Sequence, residues 1–89
     1  MFKIDFSNNS EKFLKGCDPK IKERLKKLFE TLAQNPLPAM SHDFRKIAGE
    51  NEIYRIRLSS YRVIYKIYWE EKTIFAVKIE RRKESTYKF

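Results

Sequence analysis

The chain has 89 residues, with 20 Lys and Arg against 12 Asp and Glu and a formal net charge of +8. That length suits one domain over residues 1–89 with one core, and 42% hydrophobic residues argue against disorder. A lone cysteine, Cys17, excludes an internal disulfide framework and suits a reducing cytoplasm; no apolar run is long enough to span a bilayer, and the opening Met-Phe-Lys-Ile-Asp-Phe lacks a signal peptide's hydrophobic stretch.

Phe2, Ile4 and Phe6 alternate with Lys3 and Asp5, so residues 2–6 are expected to form a strand with one apolar face. Ser7-Asn-Asn-Ser10 offers N-caps for a short helix that buries Phe13 and Leu14 and stops near Gly16. Asp18 then caps a second helix with Pro19 in its first position, running to residue 34. Ile21, Leu25, Leu28, Phe29, Leu32 and Ala33 make its apolar stripe, while Lys20, Glu23, Arg24, Lys27 and Glu30 form a solvated face. Asn35-Pro-Leu-Pro38 ends it, because proline cannot continue a helix and biases the residue before it away from one. Residues 39–52 carry little pattern, apart from a possible short strand at 44–47 and a turn at Gly49. His42 lies there without a catalytic partner and reads as solvent-facing.

The stretch Tyr54-Arg-Ile-Arg-Leu-Ser-Ser-Tyr-Arg-Val-Ile-Tyr-Lys66 alternates apolar residues with cations on both sides of Ser59-Ser60. Such alternation marks two half-buried strands of a hairpin. A two-residue loop places Leu58 opposite Tyr61, Arg57 opposite Arg62, Ile56 opposite Val63 and Arg55 opposite Ile64. Tyr54, Ile56, Leu58, Tyr61, Val63 and Tyr65 then share one face, and Arg55, Arg57, Arg62 and Lys66 the other. Neither serine favours the positive φ of the usual two-residue turns, which points to a wider or bulged loop. A final strand covers 73–80, and burial suggests pairing Val63, Tyr65 and Ile67 with Ile79, Val77 and Phe75. That register leaves Glu70-Glu71-Lys72 as the loop, sets Glu80 opposite Arg62 and Arg82 opposite Ser60, and turns Arg81 to the other side. The element order β-α-α-β-β-β, with an added strand at 44–47, predicts an α+β fold: two N-terminal helices packed on one face of a twisted antiparallel sheet.

Charge follows the same division. Residues 1–44 hold 8 basic and 6 acidic groups, residues 45–89 hold 12 and 6, so the excess lies with the hairpin. Like charges directly opposite on a sheet cost up to about 1 kcal/mol, and a polyanionic ligand would explain Arg57 facing Arg62. The alternative account pairs the arginines with Glu50, Glu52, Glu80 and Glu84 and makes the face a solubilising one. Arginine matches phosphate oxygens with a planar fork and can stabilise a phosphorane, and a tyrosine such as Tyr87 can stack on a base. The chain shows no Gly-rich phosphate loop, no carboxylate cluster for metals and no His/Glu pair, so neither metal nor cofactor is expected. A nuclease of this kind would have to act on RNA, whose 2′-hydroxyl is an internal nucleophile.

Lys46-Ile-Ala-Gly49, the Tyr54–Tyr65 run, and Ile79-Glu-Arg-Arg82 followed by Tyr87 resemble the RelE/ParE superfamily of prokaryotic toxin–antitoxin toxins, RelE in particular. The resemblance implies an endoribonuclease that cleaves messenger RNA in the ribosomal A site, restrained by an acidic, RelB-like antitoxin that wraps the toxin and displaces its C-terminal helix or tail. Operator DNA would be bound only through the toxin–antitoxin complex. Arg55 and Arg57 occupy the positions of two catalytic basic residues that are lysines in well-known members. Arg62 matches the arginine that stabilises the transition state, Arg82 the general acid and Tyr87 the base-stacking tyrosine. Lys46, Lys66 and Arg81 complete the expected RNA contacts. Arginine at position 55 is a poor general base, because its pKa exceeds about 12. The competing implications are a ParE-like inhibitor of DNA gyrase and a catalytically weak homologue retained for antitoxin and operator binding.

Overall fold

A computed structural model describes residues 1–38, 43–47 and 52–81. In chain order the elements are β1 (Lys3–Phe6), α1 (Asn8–Gly16), α2 (Pro19–Gln34), β2 (Asp43–Lys46), β3 (Ile53–Leu58), β4 (Tyr61–Tyr68) and β5 (Thr73–Arg81). The strands form one sheet in the order β1-β5-β4-β3-β2. All pairings are antiparallel except β1 with β5, which run parallel, so the sheet is mixed at one edge. A parallel pair needs a long crossover, and the whole chain from α1 to β4 supplies it.

The helices begin where their caps dictate. Ser7 accepts from the Ser10 backbone N–H at 3.1 Å and Asp18 from that of Lys20 at 2.8 Å, with Pro19 opening α2. Leu25, Leu28, Phe29, Leu32 and Ala33 of α2 are buried. They pack in one core with Tyr54, Ile56, Val63, Tyr65, Ile67, Ile74, Ala76 and Ile79 of the sheet. Each such Leu or Ile contributes about 1.5–3 kcal/mol on leaving water. Phe6 meets Phe29 edge to face at 5.1 Å, and Phe13 of α1 meets Tyr61 likewise at 5.6 Å. The Tyr65 hydroxyl donates to the Pro36 carbonyl at 2.7 Å, pinning the segment after α2 to the sheet.

The hairpin has the expected register, with Leu58 opposite Tyr61, Arg57 opposite Arg62, Ile56 opposite Val63 and Arg55 opposite Ile64. Its loop is confined to Ser59 and Ser60, and no widening occurs: Ser59 takes a φ of 57° despite its side chain. The β4–β5 ladder departs from expectation. Arg62 and Val63 do face Glu80 and Ile79, but the register shifts between Ile64 and Tyr65, after which Tyr65 faces Ala76 and Ile67 faces Ile74. Val77 is thus the extra residue of a bulge, and Ile74 and Ala76 enter the core in place of Phe75 and Val77. The physical reason lies in α1. The Ser7 hydroxyl donates to the Val77 carbonyl at 2.6 Å, and the Ala76 carbonyl receives the Ser10 hydroxyl at 2.9 Å and the Ser7 N–H at 3.0 Å. The start of α1 therefore satisfies the carbonyls at the bulge. The shift also lengthens the β4–β5 loop to residues 69–72, since Tyr68, in place of Trp69, pairs with Thr73.

Candidate phosphate-binding face

On the side of the sheet away from the helices, the register builds two charged rows. Asp43, Arg57, Arg62 and Glu80 lie side by side across β2, β3, β4 and β5, and the next row runs Arg45, Arg55, Ile64, Lys78. Strand alternation places these side chains here because their neighbours Phe44, Tyr54, Ile56, Val63 and Ile79 face the helices.

The first row alternates acid, base, base, acid. Nη1 of Arg62 donates to Oε2 of Glu80 at 3.2 Å, and Oε1 of the same carboxylate lies 3.2 Å from Nζ of Lys78. Asp43 straddles two arginines, with Oδ1 3.9 Å from Nη1 of Arg55 and Oδ2 3.7 Å from Nη1 of Arg57. Those two separations are Coulombic contacts, too long for hydrogen bonds. The flanking carboxylates offset the Arg57/Arg62 repulsion that the hairpin alone implied. Of the acidic partners in the solubilising account, Glu80 does pair with Arg62. Glu52 instead accepts from the indole N–H of Trp69, and Glu50 and Glu84 lie outside the described residues.

The arginines are sunk into the face. The Arg55 side chain is 13% exposed, against 54% for Asp43. Nη1 of Arg55, Nε of Arg57 and Nε of Arg62 are buried without a hydrogen-bond partner among the described residues. Buried donors of this kind cost free energy until an acceptor reaches them. Burial, and next the charge of Arg57, lowers the Arg55 pKa from the usual arginine value; Asp43 opposes this, while Arg45 and Arg62 add to it.

Of the residues singled out in the sequence, Arg55, Arg57 and Arg62 come together. Lys66 shares their face, two rungs beyond Ile64, with Nζ 5.1 Å above the Tyr68 ring. Lys46 does not join them: it sits opposite Tyr54, on the side of Phe44 and the helices, at the edge of the sheet. Arg81 pairs with Tyr61 and is exposed on that same helix side. Arg82 and Tyr87, like His42 and Gly49, lie outside the described residues. Asp43, Arg45 and Lys78 belong to the face and were not singled out. The spacing Asp43-x-Arg45 carried the signal, because a strand there puts both on one side.

Among the described residues no group of three or more His, Cys, Asp or Glu could hold a metal ion, and no helix is long and apolar enough to cross a membrane.

Two helices on one side of a mostly antiparallel five-stranded sheet are the architecture of solved RelE toxins. The RelE–RelB complex of Pyrococcus horikoshii contains a chain that superposes with a TM-score of 0.83 at 27% identity, covering 93% of this chain and 97% of that one. A chain of the intact RelBE complex of E. coli shares the fold, with a TM-score of 0.79 at 22% identity over 94% and 100% of the two chains. The RelE1 protein of Methanocaldococcus jannaschii is 36% identical over 87 residues, 98% of this chain and 96% of its own length. The family described as ParE toxin of the type II toxin–antitoxin system parDE matches residues 4–86. The chain belongs to this family of type II toxins, and within the superfamily it is of the RelE type.

Proposed function

We propose that this toxin is a ribosome-dependent endoribonuclease that cleaves messenger RNA in the A site and so stops translation. The observation that supports this most is the convergence of Arg55, Arg57 and Arg62 from adjacent strands on one half-buried face, each keeping a guanidinium nitrogen without a hydrogen-bond partner among the described residues. In this reading the 2′-hydroxyl gives its proton to solvent as its oxygen attacks phosphorus and the bond to the 5′-oxygen breaks, giving a 2′,3′-cyclic phosphate and a 5′-hydroxyl end. Arg62 stabilises the phosphorane, and Arg55 and Arg57 hold the phosphate, since a guanidinium remains charged near neutral pH and is no base. Arg82 protonates the leaving 5′-oxygen and Tyr87 stacks on the substrate base. Lys66 tracks the RNA along the sheet, whereas Lys46 and Arg81, on the helix side, stand apart from that track. The chemistry requires no metal, because the nucleophile is internal to RNA and the counter-charge comes from arginine.

The 89 residues act as a single toxin domain in the cytoplasm. The partner is an acidic, RelB-like antitoxin. This fits the relatives of P. horikoshii and E. coli, whose structures are complexes of RelE with RelB. Operator DNA is reached only through the toxin–antitoxin complex. A second reading, inhibition of DNA gyrase, is favoured by the ParE description of the matching family.

In a reconstituted translation system, primer extension should show breaks at A-site codons. Arg62→Ala and Arg82→Ala should each lower the cleavage rate by roughly 100- to 1,000-fold, the usual loss on removing a donor to a developing oxyanion. Unchanged cutting by both variants would overturn the assignment of the site. Intact messenger RNA together with inhibited gyrase supercoiling would establish the second reading instead.

A further inference from the structure

The arginine face carries its own anions. Its two rows hold five cations, Arg45, Arg55, Arg57, Arg62 and Lys78, together with Asp43 and Glu80. The two carboxylates are placed across the cations: Asp43 turns one oxygen to Arg55 and the other to Arg57, and Glu80 turns one to Arg62 and the other to Lys78. Each of the three arginines thus has a carboxylate oxygen within 4 Å of a terminal nitrogen, the position a non-bridging phosphate oxygen would take. Both carboxylates come from flanking strands, β2 and β5, and approach from the two ends of the row. Glu80 is half-buried and hydrogen-bonded, whereas Asp43 is more than half exposed and held by charge alone.

We infer that Asp43 and Glu80 are specificity-determining residues, internal anions that a phosphodiester must displace from the arginines before it can bind. The inference rests on the reading that this face binds RNA. A loose single strand meets a face already partly neutralised and binds weakly. RNA held in position by a larger assembly loses little further freedom on docking, and so can compete for the same guanidinium donors. Selectivity for presented over free RNA is then a property of the two flanking strands, not of the arginines.

The test compares Asp43→Asn and Glu80→Gln with wild type, and with Glu30→Gln as a control of equal charge change on α2, the layer beyond the sheet. Binding of a fluorescent single-stranded RNA oligonucleotide is followed by anisotropy across a salt series, and cleavage is measured in the translation system. Asp43→Asn and Glu80→Gln should each tighten free-RNA binding by roughly three- to fivefold, the scale of one partly exposed ion pair. Each should also steepen the log–log salt slope by up to about 0.7, one more phosphate neutralised on a single strand. Glu30→Gln should leave both unchanged. Binding that is unaltered, weakened or undetectable in the two variants, or equally tightened by Glu30→Gln, overturns the inference. If the wild-type protein cuts messenger RNA in translation while the variants behave in this way, only the role of the carboxylates fails. If it does not cut at all, the functional reading itself fails.

Discussion

The two faces of the β3–β4 hairpin alternate residue by residue and serve opposite ends. Tyr54, Ile56, Val63 and Tyr65 lie under α2 and are at most 7% exposed. Arg55, Arg57 and Arg62, each one residue away along the chain, form a charged face whose contacts are longer and partly open to water. The first face is held by burial, which charge screening does not weaken. The second is held by Coulomb attraction, which salt screens when the partners are exposed. A single residue of register therefore separates what keeps this protein folded from what it offers a ligand.

That division can be broken at neighbouring positions. Ile56→Ala removes a fully buried side chain and should cost about 3 kcal/mol in urea denaturation. Arg57→Ala, one residue along, should change stability by less than about 1 kcal/mol, because Asp43 lies 3.7 Å away and the pair is partly exposed. Equal losses from the two would show that the charged face is also structural.

Tyr65 sharpens the comparison from the buried side. Tyr65→Phe leaves the Pro36 carbonyl without its donor and should cost about 1–2 kcal/mol. Burial, with the neighbouring Tyr54 adding to it, raises the Tyr65 phenol above its ordinary value of 10.0. The folded protein then keeps that proton at a pH where the unfolded chain has lost it. Stability associated with this group is complete below about pH 10 and falls as the pH rises further. Denaturation of wild type and Tyr65→Phe between pH 8 and roughly pH 11 should show a shallower decline in the variant; parallel curves would exclude this phenol as the cause. The smallest effect belongs to the turn that joins the two faces. Ser59→Gly should raise the melting midpoint slightly, by less than about 1 kcal/mol of stability, because glycine adopts a φ of 57° without the steric cost that serine bears.

The helices and the hairpin were legible because their signals are local. Ser7 and Asp18 cap what they should cap, the stripe from Ile21 to Ala33 meets the sheet, and the alternation around Ser59-Ser60 sets the arginines on one side in any pairing that buries the apolar one. The final strand was half legible. Ile74-Phe-Ala-Val77 is an unbroken apolar run, so its period could not say which residues face inward. The bulge that decides it depends on Ser7 and Ser10, nearly 70 residues away. The site was legible to the same extent. Arg55, Arg57 and Arg62 followed from the hairpin, whereas Asp43, Arg45 and Lys78 required knowing which strands flank it.

By itself, then, the sequence determined two capped helices, a hairpin with arginines on one side, and a resemblance confined mainly to the second half of the chain. Periodicity, caps and turn residues act over a few residues and need no partner. Only the tertiary structure decided that β1 runs parallel to β5 at the sheet edge and that Val77 is skipped. It alone set a carboxylate at each end of the arginine row. Those outcomes depend on which distant strands and hydroxyls meet, and no local pattern encodes that choice.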